Sequence, residues 1–204
     1  MKNTTALLII DMQAGLVHGA YREKEILQTL GALIKKARAN SVPVIFVQHD
    51  DTPPDDLLVP NTPAWQIHPQ IALLPGEKVF EKKRSDSFYE TPLQDELLRL
   101  GIQHLIIGGM QTEFCVDATS RRAVELGYSV TLVANGHTTF DGELTAQQII
   151  TQENKKIKAL NPLKVDIQLA RVIDFGFVED KVVKFGGKAV AIQTLILQRG
   201  FLIL

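Results

Sequence analysis

The sequence predicts a three-layer α/β/α fold built around a mostly parallel sheet of about five or six strands. Short apolar runs rich in β-forming residues recur along the chain, and each is followed by a stretch with helical periodicity. The runs are apolar throughout, which is typical of strands covered by helices on both faces. The predicted strands are residues 6–10, 44–48, 78–81, 104–107 and 129–134.

Length and composition favour one domain. The 204 residues are enough for one buried core but too few for two ordinary domains, and 45% hydrophobic with 22% charged residues is typical of a folded globular protein. We therefore predict a single domain over residues 1–204, with an atypical segment from about residue 164 that supplies an extra strand, a subunit contact or a tail.

The charge balance excludes one class of partner. Lys and Arg total 22 against 23 Asp and Glu, so the net charge is −1 and no basic field exists to hold nucleic acid.

The first apolar run is interrupted by Asp11 after five residues, too soon for a signal peptide or a membrane span. We predict a cytoplasmic protein with neither a nucleic-acid nor a membrane partner.

Three helices have clear sequence signals. The first has apolar residues at three- and four-residue spacings between positions 26 and 37. The second is predicted from Pro92 to about Leu100, capped by Thr91 and ended by Gly101. The third runs from Ala146 towards Leu160, because Thr145 and Gln148 form a capping box and Asn161-Pro162 ends it.

The segment 51–69 differs from its surroundings. It is rich in proline, contains the acidic pair Asp55-Asp56 and includes Trp65. A loop of this length without its own secondary structure often covers a site. We predict that it forms a lid.

Polar residues just past the strands mark the candidate site, because ligands of open parallel sheets bind beyond the carboxyl ends of the strands. Asp11 follows the first strand, Lys82 the third and Cys115 the fourth. Each has a structural alternative, namely a turn former, a solvated basic residue and a core thiol. Spacing alone does not separate Lys82 from Lys83.

Cys115 is the only cysteine, so it is either an inert buried thiol or a nucleophile. Thr112 can cap the helix that follows, which would place Cys115 in its first turn, where backbone N–H groups favour a thiolate. Gly108 and Gly109 allow a tight turn whose amides point inward. A carboxylate to accept the thiol proton and an ammonium to hold the anion would complete a catalytic set.

Three ordered motifs resemble the isochorismatase-like superfamily of cysteine hydrolases. They are Ile9-Ile10-Asp11-Met12-Gln13, Glu81-Lys82 leading to the segment 86–93, and the segment 109–119, and the resemblance covers residues 5–160. It implies a Rossmann-like sheet and a catalytic triad of Asp11, Lys82 and Cys115. Lys82 is chosen over Lys83 because the family's lysine stands six residues before the motif phenylalanine, here Phe88.

The same resemblance implies a cis peptide bond between Met110 and Gln111. That bond would turn the Gln111 N–H towards the same point as the N–H of Cys115, so that both form an oxyanion hole. Gln13, Trp65 and Phe88 match positions that border the substrate pocket in relatives. Their structural alternatives are a turn residue, a lid-packing aromatic and a core residue.

Two departures from the family lie outside the triad. Asn135 stands where many relatives have Asp, and Gln152-Glu153 where they have two histidines. Nicotinamidases of this superfamily hold a metal with an aspartate and histidines, but His49 and His68 do not reproduce that spacing. We predict no metal and no cofactor, with a structural or pocket role for both histidines.

The resulting hypothesis is a hydrolase that cleaves a carbon–nitrogen amide-type bond of a small molecule through a thioester. One alternative is vinyl-ether hydrolysis as in isochorismatase itself, which needs no thiol nucleophile. Another is a catalytically silent binding or assembly subunit. The family resemblance also implies a homo-oligomer, a dimer or higher, to which the apolar C-terminal residues could contribute.

Overall fold

A computed structural model of the chain describes residues 4–52 and 54–175, together with the backbone of two strands at 181–185 and 188–192. Contacts divide the chain into two units, residues 1–173 and residues 174–204. In the second unit, β7 (Lys181–Phe185) pairs antiparallel with β8 (Lys188–Ile192). The apolar stretches 189–197 and 201–204 were predicted to supply an extra strand, a subunit contact or a tail, and positions 193–197 and 201–204 lie outside the described residues.

The first unit contains a six-stranded parallel sheet and its helices, which confirms the predicted α/β class. Its strands are β1 (Thr5–Ile10), β2 (Val44–His49), β3 (Lys78–Lys82), β4 (His104–Met110), β5 (Ser129–Thr138) and β6 (Val165–Gln168). Its helices are α1 (Ala14–Val17), α2 (Glu23–Ala39), α3 (Leu93–Leu100), α4 (Asp117–Glu125) and α5 (Ala146–Leu160).

The strand order β3-β2-β1-β4-β5-β6 positions the site. From β1 the chain adds β2 and β3 on one side, then returns to place β4 on the other side of β1. The direction of winding therefore reverses between β1 and β4, and a crevice opens at their carboxyl ends. Asp11 lies at the end of β1, and the segment that leads to Cys115 begins at the end of β4.

The core lies on both faces of the sheet because successive strand residues point to opposite sides. Ala6, Leu8 and Ile10 of β1 belong to a buried cluster that includes Leu97 of α3 and Ile157 of α5. Leu7 and Ile9 are also buried, and α2 lies on the other face, where Leu30 approaches β4 and β5 at Gly108 and Gly136. Burying one such leucine or isoleucine stabilises the fold by about 1.5–3 kcal/mol.

The segment from about residue 164 supplies the sixth strand, β6, which pairs with β5, and an extra strand was one of the roles predicted for that segment. Two strands are longer than predicted, since β4 continues through Gly108 and Gly109 to Met110 and β5 continues to Thr138. A Cβ atom at Gly109 would lie 2.0 Å from the carbonyl oxygen of Ile10, and the φ angle of Gly109 is +134°. Gly109 therefore serves a close approach of β4 to β1, and Gly108 one to Gly136 of β5, both within the strand and not in a turn after it.

The helix signals are reproduced with one shift. The capping box of Thr145 and Gln148 forms at the start of α5, as predicted. Helix α3 begins at Leu93, one residue later than expected, and the Thr91 hydroxyl donates to the carbonyl oxygen of Ser87. Within the described part of the chain, no helix is long and apolar enough to cross a membrane.

Candidate active site

Asp11 is fully buried directly after β1. Its Oδ2 atom lies 2.6 Å from the Lys82 ammonium. Its Oδ1 atom is also buried and accepts no hydrogen bond within the described residues. A buried carboxylate oxygen without a partner is costly, so its retention points to a role as a proton acceptor.

Lys82 ends β3, and its side chain reaches past the end of β2 to the end of β1. The Nζ atom contacts three acceptors, at 2.6 Å from Asp11 Oδ2, 3.2 Å from His49 Nδ1 and 3.3 Å from Cys115 Sγ. Lys83 is exposed. The structure therefore brings Lys82, and not Lys83, together with Asp11 and Cys115, as the family resemblance implies.

The Lys82 ammonium stays charged. Burial alone would lower the pKa of Lys82, but the charge of Asp11 and the hydrogen bonds to Asp11 and Cys115 outweigh burial and raise it. At neutral pH the site therefore contains an ammonium and a carboxylate in direct contact.

Cys115 lies in a π-helical turn (Thr112–Val116) that leads into α4. The N–H of Val116 donates to the carbonyl oxygen of Gln111, five residues back, at 3.1 Å. π-Helical turns occur often at functional sites. The expected Thr112 cap is wrong, because the Thr112 hydroxyl lies 2.9 Å from His137 Nδ1 and Gln111 precedes the turn.

The Cys115 thiol is not the thiolate that the sequence favoured. Burial, followed by the negative charge of Asp11, raises the pKa of Cys115 to about 12, and the Lys82 ammonium opposes this only in part. The thiol is therefore protonated at neutral pH and must lose its proton during attack. The expected cis peptide bond between Met110 and Gln111 is present.

His49, for which the sequence predicts a structural or pocket role, lines the cavity and contacts Lys82. Burial and the Lys82 charge lower the pKa of His49, so the ring is neutral and its Nδ1 accepts from the ammonium. Gln13 fixes this position, since its amide donates to the carbonyl oxygen of His49 at 2.9 Å and accepts from the His49 N–H at 2.8 Å. The contact between His49 and Lys82 joins residues 33 positions apart, so no local sequence pattern reveals it.

A cavity of about 310 Å³ opens over the thiol. Polar groups of Asp11, His49, Gln111 and Cys115 lie on its wall together with apolar side chains. The full lining is Asp11, Leu16, His49, Asp51, Leu57, Leu58, Ser85, Gln111, Phe114 and Cys115. Phe114 and Leu57 were not predicted as pocket residues, although Phe114 directly precedes Cys115 in the motif.

The residues predicted to bind substrate have other contacts in the structure. Gln13 holds the His49 backbone, and the Trp65 indole N–H donates to Asp50 Oδ1 at 2.7 Å. Phe88 is buried, with its ring centroid 6.0 Å from that of Tyr128. Of the residues that the structure describes, these three are not among those lining the 310 Å³ cavity. Substrate binding by Gln13, Trp65 and Phe88 stays a prediction.

The positions that depart from the family also lie apart from the thiol. Asn135 Oδ1 accepts from the N–H of Ala170 at 2.9 Å, and Glu153 is buried against Lys156 at 2.5 Å. Glu153 belongs to α5 and Asn135 to β5. Asn135 therefore joins β5 to the segment at Ala170, whereas the ion pair of Glu153 lies within α5.

Asp11, His49 and Cys115 could in principle offer ligands to a metal, because their donor atoms lie within 4.8 Å of one another. The Lys82 ammonium is within hydrogen-bond distance of all three residues and repels a second cation. His68 caps a short turn, where its Nδ1 accepts from the N–H of Gln70 at 3.3 Å. These three residues therefore do not fit a metal. That the reaction uses no metal stays a prediction.

The fold and the clustered carboxylate, ammonium and thiol place the chain in a class of α/β hydrolases with a cysteine at the site. Residues 5–157 match the family model of the isochorismatase domain. The chain therefore belongs to the isochorismatase family of hydrolases.

Curated relatives include two named hydrolases. Streptothricin hydrolase of Streptomyces noursei is 36% identical over 139 residues, covering 67% of this chain and 55% of the relative. Nicotinamidase 3 of Arabidopsis thaliana is 30% identical over 152 residues, covering 68% of this chain and 75% of the relative. The chain thus spans about half the length of the streptothricin hydrolases that it matches.

Solved structures show the same fold. A crystal structure of an isochorismatase family protein has a TM-score of 0.73 and 33% sequence identity to the chain. The match covers 82% of this chain and 99% of that structure. The similarity therefore extends over the whole sheet with its flanking helices.

Proposed function

We propose that the protein is a cysteine hydrolase that cleaves a carbon–nitrogen amide-type bond of a small molecule through a thioester. One observation carries this proposal: Cys115 Sγ lies 3.3 Å from the Lys82 ammonium, beside a buried carboxylate with a free oxygen within the described structure, on the wall of a cavity. The streptothricin hydrolase and nicotinamidase relatives support hydrolysis.

Acylation begins when the Cys115 sulfur attacks the carbonyl carbon of the substrate. Because the thiol is protonated, Asp11 Oδ1 takes its proton as the carbon–sulfur bond forms. The N–H groups of Gln111 and Cys115 hold the oxyanion of the tetrahedral intermediate. Asp11 then passes its proton to the departing nitrogen, so an amine or ammonia leaves and a thioester remains.

Deacylation reverses these roles with water. Asp11 accepts a proton from the water that attacks the thioester, and the tetrahedral intermediate collapses to a carboxylic acid. The proton returns to the Cys115 sulfur, which restores the thiol. Lys82 keeps its charge throughout and holds the Asp11 carboxylate in place.

The test is a panel of small amides, ureides and lactams, assayed for release of ammonia or amine. We expect turnover of at least one member, a burst of amine equal to the enzyme concentration where deacylation is slow, and an acyl adduct on Cys115 by mass spectrometry. Cys115→Ala should lose the reaction, since it lacks the nucleophile. Amide hydrolysis that survives in Cys115→Ala would contradict the thioester route, turnover of a vinyl ether in place of the amides would favour vinyl-ether hydrolysis, and absence of both turnover and adduct would favour a silent subunit.

Three further predictions concern the cellular context and fold. We propose that the reaction takes place in the cytoplasm. We expect a homo-oligomer, which sedimentation velocity tests directly. We also propose that residues 1–204 act as one functional domain.

A further inference from the structure

The charges around the 310 Å³ cavity do not cancel. Asp11 is neutralised by Lys82 at 2.6 Å, the Cys115 thiol is protonated and the His49 ring is neutral. Among the described lining residues, Asp51 is the remaining charged side chain, and no Lys or Arg lines the cavity. The wall that a ligand meets is therefore net negative.

The nearest exposed cations belong elsewhere. Lys83 and Arg84 line a separate cavity of about 420 Å³, where Glu81 and Glu90 also lie. In that cavity basic and acidic side chains balance one another. Of its cations, Lys82 reaches Cys115 but is paired with Asp11, and Lys83 and Arg84 do not line the wall above Cys115.

The Asp51 carboxylate is fixed at this wall. Its Oδ2 atom accepts from the N–H of Leu58 at 2.7 Å, and its Oδ1 atom lies 3.7 Å from His49 Nε2. The side chain is only 13% exposed. A largely buried carboxylate held by two contacts acts on a neighbouring ligand with little screening by solvent.

The rest of the cavity mouth is apolar. Leu16, Leu57, Leu58 and Phe114 line it, and the Leu57 and Phe114 side chains are about half exposed. Exposed large apolar residues beside a polar site are typical of surfaces that bind the apolar part of a ligand.

We infer that this cavity selects small amides that have an apolar body and no anionic group, and that Asp51 is the residue that rejects carboxylates. This inference rests on the proposed function for the reaction but concerns the choice of substrate. It places isochorismate-like dianions outside the accepted class. Neutral and cationic amides remain inside it.

The test uses the single cysteine as a probe of the cavity. Three methanethiosulfonate reagents of similar size but different charge (neutral, cationic and anionic) form a disulfide with Cys115 and release a sulfinate. The ratio of the cationic to the anionic labelling rate reports the charge at the thiol, because a change in thiol reactivity cancels in the ratio. We expect a ratio of at least about 10 in the native protein at low salt.

The variant that tests the role of Asp51 is Asp51→Asn, which keeps an acceptor for the Leu58 N–H. We expect it to lower the cation-to-anion ratio by at least about fivefold. Asp55→Asn is the matched control, because it removes the same charge from an exposed position of the same loop. It should leave the ratio within about twofold of the native value.

A native ratio near or below 1, or an unchanged ratio in Asp51→Asn, would overturn the inference. If that variant does not fold, the native protein still provides the test: relative to their rates with a small free thiol, the cationic reagent should label Cys115 faster than the neutral one, and the neutral one faster than the anionic one. Labelling needs no turnover, so the two proposals fail separately. Selective labelling without hydrolysis of any amide would contradict the proposed function alone, and hydrolysis of anionic amides in preference to matched neutral ones would contradict the inference alone.

Discussion

The Lys82 ammonium donates to an oxygen, a nitrogen and a sulfur atom, so all three of its hydrogens are used within the protein. It has no hydrogen left for a substrate carbonyl. Its role is therefore to position Asp11, His49 and Cys115. The compact, three-donor geometry of an ammonium suits this role, whereas the planar fork of a guanidinium does not.

Removing the Lys82 charge should destabilise the protein as well as inactivate it. Lys82→Met leaves Asp11 buried without a counter-ion, and we expect a loss of about 3–5 kcal/mol in the free energy of unfolding measured with urea. The double variant Asp11→Asn with Lys82→Met should recover part of this loss. Arg122→Met, at a half-exposed ion pair with Glu125, should cost less than about 1 kcal/mol. Equal losses of stability in Lys82→Met and Arg122→Met would show that the buried ion pair contributes no more than the exposed one.

The titration of Cys115 should depend on Asp11 in a defined direction. With Asp11 present, the pKa of the thiol is raised to about 12, so a 240 nm difference spectrum against Cys115→Ala should show no thiolate step between about pH 6 and about pH 9. Asp11→Asn removes the repelling charge and leaves the Lys82 ammonium, and should therefore lower the thiol pKa. A native midpoint below about 8.5, or a pKa raised further in Asp11→Asn, would contradict this account.

Strand β4 shows how the end of a strand positions the residues of the site. Its approach to β1 at Gly109 holds the carboxyl ends of the two strands together, and these ends precede Gln111 and Asp11. The register between β4 and β5 shifts between Ile107 and Gly109. The segment that leads into the Cys115 turn therefore starts from a tightly packed strand.

Gly109→Ala should disrupt this approach. Its Cβ atom would lie 2.0 Å from the Ile10 carbonyl oxygen, at a φ of +134° that L residues rarely adopt. We expect a loss of at least about 3 kcal/mol in stability by urea unfolding, together with loss of hydrolysis. Gly142→Ala is the control, because nothing lies within 4 Å of its added methyl group. A native-like Gly109→Ala protein would refute the close packing of β1 and β4.

The elements differ in how far local patterns could predict them. Strands β1 and β2 and helix α5 have strong apolar or capping signals and were placed within about two residues, as such signals allow. β6 is short and half polar, so it has no such signal and owes its pairing to β5. The extension of β4 was missed because glycine ordinarily weakens a strand, and only the contact with Ile10 explains its use here.

Across the whole molecule, His137 links three elements. Its ring is fully buried in β5, lies 2.9 Å from the Thr112 hydroxyl at the start of the Cys115 turn, and contacts Asn154 Oδ1 of α5 at 3.1 Å. Burial lowers the pKa of His137 from 6.5 to about 4, although the bond to Asn154 opposes the shift. The ring is therefore neutral in the folded protein at physiological pH.

Stability should consequently fall in mild acid. His137 is protonated near pH 6.5 in the unfolded chain and only near pH 4 in the folded protein. The stability that the neutral ring contributes is therefore complete above pH 6.5 and is lost as the pH falls through about 4. This difference is worth roughly 3 kcal/mol. Urea unfolding at pH 7.5 and pH 4.5 should show a shallower decline in His137→Gln than in the native protein, whereas His18→Gln at an exposed site should retain the native slope. An equal decline of the unfolding free energy with pH in the native protein, His137→Gln and His18→Gln would contradict the lowered pKa of His137.

Two kinds of sequence information predict part of the candidate site, namely the positions of the strand ends and the motif resemblance. The proximity of Asp11, Lys82 and Cys115 follows from the parallel sheet, because the carboxyl ends of its strands share one edge. The protonation of Cys115, the contact of His49 with Lys82 and the Asp51 wall depend on burial and on distances between remote segments. No spacing in the sequence encodes those quantities.

Trp65 is the single tryptophan of the chain and lies in the loop whose Asp51, Leu57 and Leu58 form part of the cavity wall. Its indole is tied to Asp50, the neighbour of Asp51. The protein thus carries its own fluorophore on the loop that lines the cavity, and we expect intrinsic emission to report ligand entry in a stopped-flow instrument without any attached dye.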